Sequence, residues 1–168
     1  MKNIIRIVFL AFLISTVSCA KNKHDFEEKE NTVGVGPLSQ ELRDLLSQEM
    51  TLLQNGMMSI IPAYVSGNWG KIETIAGKMK NSYILKQSLT ENQIKELHSS
   101  LPHDFIKKDQ RFHYLAGMLE HVAKNKKPEL INFYFSEMNE ACVDCHVSFA
   151  KHKFPALTVK EKKDGHGH

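Results

Sequence analysis

Two thiols and an imidazole stand together near the end of the chain, in Cys142-Val143-Asp144-Cys145-His146. Residues three and four apart share one face of a helix, so Cys142, Cys145 and His146 would point the same way. Two thiols at that spacing can each add to a vinyl group of one flat macrocycle, forming two thioethers. The imidazole that follows can then coordinate the central iron as an axial ligand. C-x-x-C-H is in this sense the attachment sequence for a single c-type haem. The other chemistries open to these residues are less well supplied. A thioredoxin-like dithiol expects a βαβ context, and no segment has that pattern. A zinc site needs further ligands, yet no second C-x-x-C or H-x₃₋₅-H cluster follows, and His152, His166 and His168 are the nearest supply. A disulfide between Cys142 and Cys145 is the remaining alternative.

The start of the chain bears on where this chemistry would take place. Residues 1–18 carry Lys2 and Arg6, an apolar run from Ile7 to Ile14 and then small residues. That is the pattern of a secretory signal, too short to span a bilayer. Thr16-Val17-Ser18-Cys19 approximates a bacterial lipobox, in which Cys19 becomes the lipidated first residue. The competing site, Ser18-Cys19-Ala20, would discard Cys19 by cleavage after Ala20. Either way, the chain's other two cysteines are left for haem. Export suits the motif, because c-type haem is attached outside the bacterial cytoplasm. The expected location is therefore the periplasm, with a lipid anchor to the membrane through Cys19. Losing Lys2 and Arg6 takes the formal net charge from +3 to +1, too little for nucleic-acid binding. No acid/base pair or substrate motif is evident, so no enzymatic activity is expected.

Elements must carry the motif. Residues 19–37 are polar and read as a flexible tether. Residues 38–155 form the haem-binding domain, and 156–168 a polar tail ending in Gly-His-Gly-His. A content of 42% hydrophobic and 24% charged residues suits one compact domain with tails. The first helix presents Leu42, Leu46, Met50, Leu53, Met57 and Ile60, with Ser39 as N-cap. Pro62 should end or kink it, and Ser66-Gly67-Asn68 should turn. The second runs from Trp69 to Leu85, with Gly77 inside it. That glycine costs about 1 kcal/mol relative to alanine, or else admits something flat. Thr90-Glu91-Asn92-Gln93 is a capping-box pattern, starting a short helix that ends before Pro102. The third long helix runs from Asp104 to Lys124. A short link then makes the fourth, Pro128 to Lys153, its antiparallel neighbour. Ile131, Phe135, Met138, Cys142, Cys145 and Phe149 follow three-and-four spacing along the fourth, which spans roughly 35–40 Å. The expected fold is all-α: an antiparallel four-helix bundle whose long second-to-third connection contains a short helix.

A C-x-x-C-H near the end of the fourth helix of such a bundle resembles the cytochrome c-prime family and its low-spin relatives, over about Leu38 to Phe154. The motif and the aromatic Phe149 after it carry the resemblance. The resemblance implies a far-side iron residue on the first helix, apolar in five-coordinate members and methionine in low-spin ones. Met50 falls at that place, with Met57, Met58 and Met79 as weaker alternatives. His/Met ligation would suit an electron carrier. Five-coordinate members commonly carry a basic residue directly after the aromatic, where this chain has Ala150. The resemblance also implies redox protein partners and a possible homodimer. The alternative function is a five-coordinate haem protein binding NO or CO; a third class is zinc or copper handling without haem. His113 and His121 are rival ligands, and for His113 the plainer reading is a pair with Asp109. Phe112, Tyr134 and Phe135 are haem-wall candidates that equally suit plain core. Lys107, Lys108, Lys126, Lys127, Lys151 and Lys153 could steer an acidic partner or simply form a solvated face.

Overall fold

The computed structural model describes residues 34–157. Six α-helices lie in this span: α1 Gln40–Val65, α2 Trp69–Lys80, α3 Leu85–Ser88, α4 Glu91–Ser100, α5 His103–Lys124 and α6 Pro128–Phe149. A 3₁₀ turn, Pro155–Leu157, follows α6. No strand occurs among the described residues, and none of their helices is long and apolar enough to cross a membrane. The chain is all-α.

Helix starts follow the side chains that can satisfy their open N–H groups. Ser39 caps α1 by accepting from Leu42 N. At α4 the capping box is complete: Gln93 N donates to Thr90 Oγ1 at 3.3 Å, and Thr90 N donates to Gln93 Oε1 at 2.9 Å. Pro62 does not stop α1, which continues to Val65. The stop comes at Gly67, whose φ of +66° is open to glycine without strain. Gly67 N then reaches Tyr64 O and Asn68 N reaches Ala63 O, closing the helix in a Schellman motif.

Two boundaries differ from the periodicity. The second helix ends at Lys80 rather than Leu85, because Ser82 turns left-handed (φ +58°) and the next three N–H groups bond to the Glu49 carboxylate instead of continuing the helix. The last helix ends at Phe149 rather than Lys153. Ala150 leaves helical geometry there (φ −132°, ψ 27°), and its carbonyl accepts from Lys153 N and Phe154 N. Gly77 admits a side chain rather than anything flat: a Cβ there would lie 2.8 Å from Glu120 Oε1, whose carboxylate pairs with Lys80 at 3.0 Å.

Helix α5 packs most extensively, against α2 on one side and α6 on the other. Arg111 of α5 reaches Glu137 of α6 at 3.0 Å. Buried side chains fall into two clusters. The larger joins the C-terminal half of α1 to α2, α5 and the first two-thirds of α6, around Ile60, Ile72, Met79, Leu119, Ile131 and Met138. The smaller joins Leu38 and the start of α1 to Leu101, the first turn of α5 and the end of α6: Leu38, Leu42, Leu46, Leu101, Phe105 and Phe149.

Candidate haem-attachment site

The site is assembled on the last two turns of α6. Cys142 and Cys145 are free thiols, both half-buried, one helical turn apart. Cys142 packs against the larger buried cluster and Cys145 against the smaller, so the motif lies where the core is divided. His146 is half-buried beside them, and Phe149 packs edge-on against Phe105 with ring centroids 5.2 Å apart.

Burial sets the state of all three groups. It pushes the Cys142 thiol up, and lifts Cys145 from 9.0 to about 11, with the Asp109 carboxylate adding to the effect. Burial also lowers His146 below its usual range, keeping the imidazole neutral with a lone pair for a metal. Thiols held this far from ionisation are poor nucleophiles. A shift of this size cuts the thiolate fraction about a hundredfold, and the higher basicity of the thiolate recovers roughly tenfold in reactivity. In haem-free protein at neutral pH, Cys145 should therefore react with iodoacetamide about tenfold more slowly than an unperturbed thiol. Stopped alkylation with peptide mass analysis would measure it, and a rate equal to that of a model thiol would contradict the burial argument.

Helix α1 shares both buried clusters with α6. Its first turns share the smaller cluster with Phe149, its later turns share the larger with Ile131, and Tyr64 Oη donates to Pro128 O at 3.2 Å. The two helices are thus antiparallel. Met50 and Cys142 each lie 14 residues from that hydrogen bond (64 − 50 and 142 − 128), so a straight antiparallel pairing would put them at one level. Met50 is 38% exposed, whereas Met57, pointing within about 20° of the same direction seven residues on, is 8% exposed. Met57 belongs to the larger cluster, whereas Met50 belongs to neither. Met79 lies within the larger cluster, and Met58 is 62% exposed.

The buried register of α1 at this level is held by Glu49, only 1% exposed. Its carboxylate accepts from Tyr83 N (2.8 Å), Ile84 N (2.6 Å) and Leu85 N (3.4 Å). Together with burial, that charge raises the Tyr83 phenol. At Gly56, two turns along, a Cβ would lie 2.8 Å from Tyr83 Oη. Glu49 was not among the residues singled out from the sequence. Its signal was its place three after Leu46 and four before Leu53 of the apolar series.

The remaining candidates separate. His113 is buried, with Nδ1 2.7 Å from Met79 O and Nε2 3.4 Å from Asp109 Oδ1, so both ring nitrogens are occupied. His121 is exposed near the far end of α5, close to Asn125. Phe112 is core, and Tyr134 and Phe135 pack against it half-buried. Lys108 is close enough to Cys145 to act on its charge, and Lys151 and Lys153 follow α6, whereas Lys126 and Lys127 sit in the link at the opposite end of that helix. No group of three or more His, Cys, Asp or Glu among the described residues is arranged to hold a metal ion. The expected signal at 1–18, Cys19, His166 and His168 lie outside the described residues. No protein-family model matches the chain, and no curated protein or solved structure matches it.

Proposed function

We propose that the protein is an exported monohaem c-type cytochrome that carries single electrons, built as an antiparallel four-helix bundle in which α1, α2, α5 and α6 are the long members. Cys142 and Cys145 would hold the haem covalently, His146 would be one axial iron ligand and Met50 the other. One observation carries the reading: two half-buried thiols and a half-buried imidazole stand on the last turns of α6, where the buried core divides. A flat, largely apolar group attached there would have buried side chains on either side.

When bound, haem supplies a one-electron centre. The chain's contribution is to keep the imidazole lone pair free, to keep water from the iron with two apolar clusters, and to set the potential by burial and ligand type. The thioethers would prevent loss of the group. Cys19 would anchor the protein to a periplasmic membrane face, and its partners would be redox proteins. The exposure of Met50 supports a second reading, in which iron stays five-coordinate and binds NO or CO.

Expression of the full-length chain in a bacterium able to attach c-type haem tests the proposal. After denaturation and electrophoresis, the protein should keep one haem by peroxidase stain and mass. The Cys142→Ser/Cys145→Ser variant should have none. Correctly exported protein without covalent haem would overturn the assignment.

A further inference from the structure

Beyond α6 the chain makes a short hook. Ala150 caps the helix, and both Lys153 N and Phe154 N donate to Ala150 O, at 2.9 and 3.0 Å. Leu157 N donates to Phe154 O at 3.1 Å, closing the 3₁₀ turn. The hook lays Phe154 flat on His146, with ring centroids 4.2 Å apart and planes within 7°. The other aromatic contacts among the described residues are all edge-on, at 60° or more and centroid distances above 5 Å.

Stacking occupies a ring face and leaves both nitrogens at the ring edge. A metal-bound histidine ordinarily has its orientation fixed by a hydrogen bond from its second nitrogen to a carboxylate, a carbonyl or water. No protein group among the described residues hydrogen-bonds either nitrogen of His146. The nearby carboxylate of Asp109 is turned to His113 instead. Rotation about the Cβ–Cγ bond of His146 is thus opposed by the ring of Phe154. Core filling does not account for Phe154, which belongs to neither buried cluster and is 40% exposed.

We propose that Phe154 is the positioning residue of the iron ligand: its stacked ring fixes the imidazole plane of His146, the role a hydrogen-bond partner fills elsewhere. This rests on the haem assignment above. Because Phe154 lies outside both clusters, its replacement should leave the helices intact, which circular dichroism checks.

The test compares Phe154→Ala, Phe154→Leu and Phe154→Tyr in the full haem-loaded chain. Electron paramagnetic resonance of the ferric iron is the readout, since its low-field line follows the orientation of the axial imidazole and broadens when that orientation spreads. The tyrosine variant, which keeps a stackable ring, should reproduce the parent line. The alanine and leucine variants should keep covalent haem but show a shifted, broadened line. Leucine keeps apolar bulk, so the leucine–tyrosine pair decides the matter even if alanine unfolds the chain. A parent-like line in the leucine variant would overturn the proposal. A second readout needs no haem. In the Cys142→Ser/Cys145→Ser chain, the ring protons of His146 should resonate upfield under the Phe154 ring current and lose that shift in Phe154→Ala; no such shift would also overturn it. Absence of covalent haem from the unaltered protein is a separate result, one that removes the haem assignment and with it the ligand role.

Discussion

Met50→Ala is expected to convert the haem-loaded protein from low-spin to high-spin and to let ferrous iron take up carbon monoxide stoichiometrically. The expectation follows from the antiparallel register, in which Met50 and Cys142 lie equally far along α1 and α6 from the Tyr64–Pro128 hydrogen bond. A thioether is a soft, neutral ligand, and alanine has nothing to put in its place. Because Met50 is already 38% exposed, truncation should cost less than about 1 kcal/mol of stability. Met57→Ala is the matching control. At 8% exposure within the larger cluster it should cost about 2–4 kcal/mol and leave the spectrum unchanged. An unchanged spectrum in Met50→Ala would remove the ligand assignment. Rapid carbon monoxide binding by the parent protein would favour the five-coordinate reading.

Glu49→Ala should be the most destabilising single change at the site. The alanine leaves the N–H groups of Tyr83, Ile84 and Leu85 without their acceptor in a partly buried turn. Charged hydrogen bonds are worth more than neutral ones, and a buried donor without a partner costs about 1–3 kcal/mol, so the total loss should be about 3 kcal/mol. For a domain of this size that lowers the melting temperature by on the order of 10 °C. Glu49→Gln keeps one carbonyl acceptor and should lose about half as much. Thermal melts of the three proteins test the ranking; equal melting temperatures would show that the carboxylate does not hold the turn. The consequence reaches the haem site, because the same contact pins the turn of α1 that carries Met50.

Local signals proved easiest to read. The capping box at Thr90–Gln93 and the N-cap at Ser39 depend on residues within a few positions, and both form as their sequence requires. The apolar series on α6 carries the motif because its three-and-four spacing is unbroken. Along α1 the spacing was ambiguous: Leu46 to Leu53 is bridged equally well through Glu49 or Met50, and periodicity chose the apolar one. Burial chose Glu49, because the turn after α2 brings three donors to it, a long-range fact that no local pattern encodes. The stacking of Phe154 on His146 was hidden for a related reason. Once the helix ends, an eight-residue separation has no fixed geometry, and the hook is set by backbone bonds to Ala150.

A core built in two parts also divides cooperativity. Local opening in proteins follows contiguous units with their own stabilities rather than the whole chain at once. The larger cluster holds α2, most of α5 and the first two-thirds of α6, with Cys142 packed against it, whereas the smaller one has six buried members, with Cys145 at its edge. Opening only the small unit would free Cys145 and the end of α6 while the remaining helices stay packed around Cys142. An enzyme that joins haem to Cys142 and Cys145 would then meet a chain already folded over most of its length, and closure of the small unit over the new group would complete the protein.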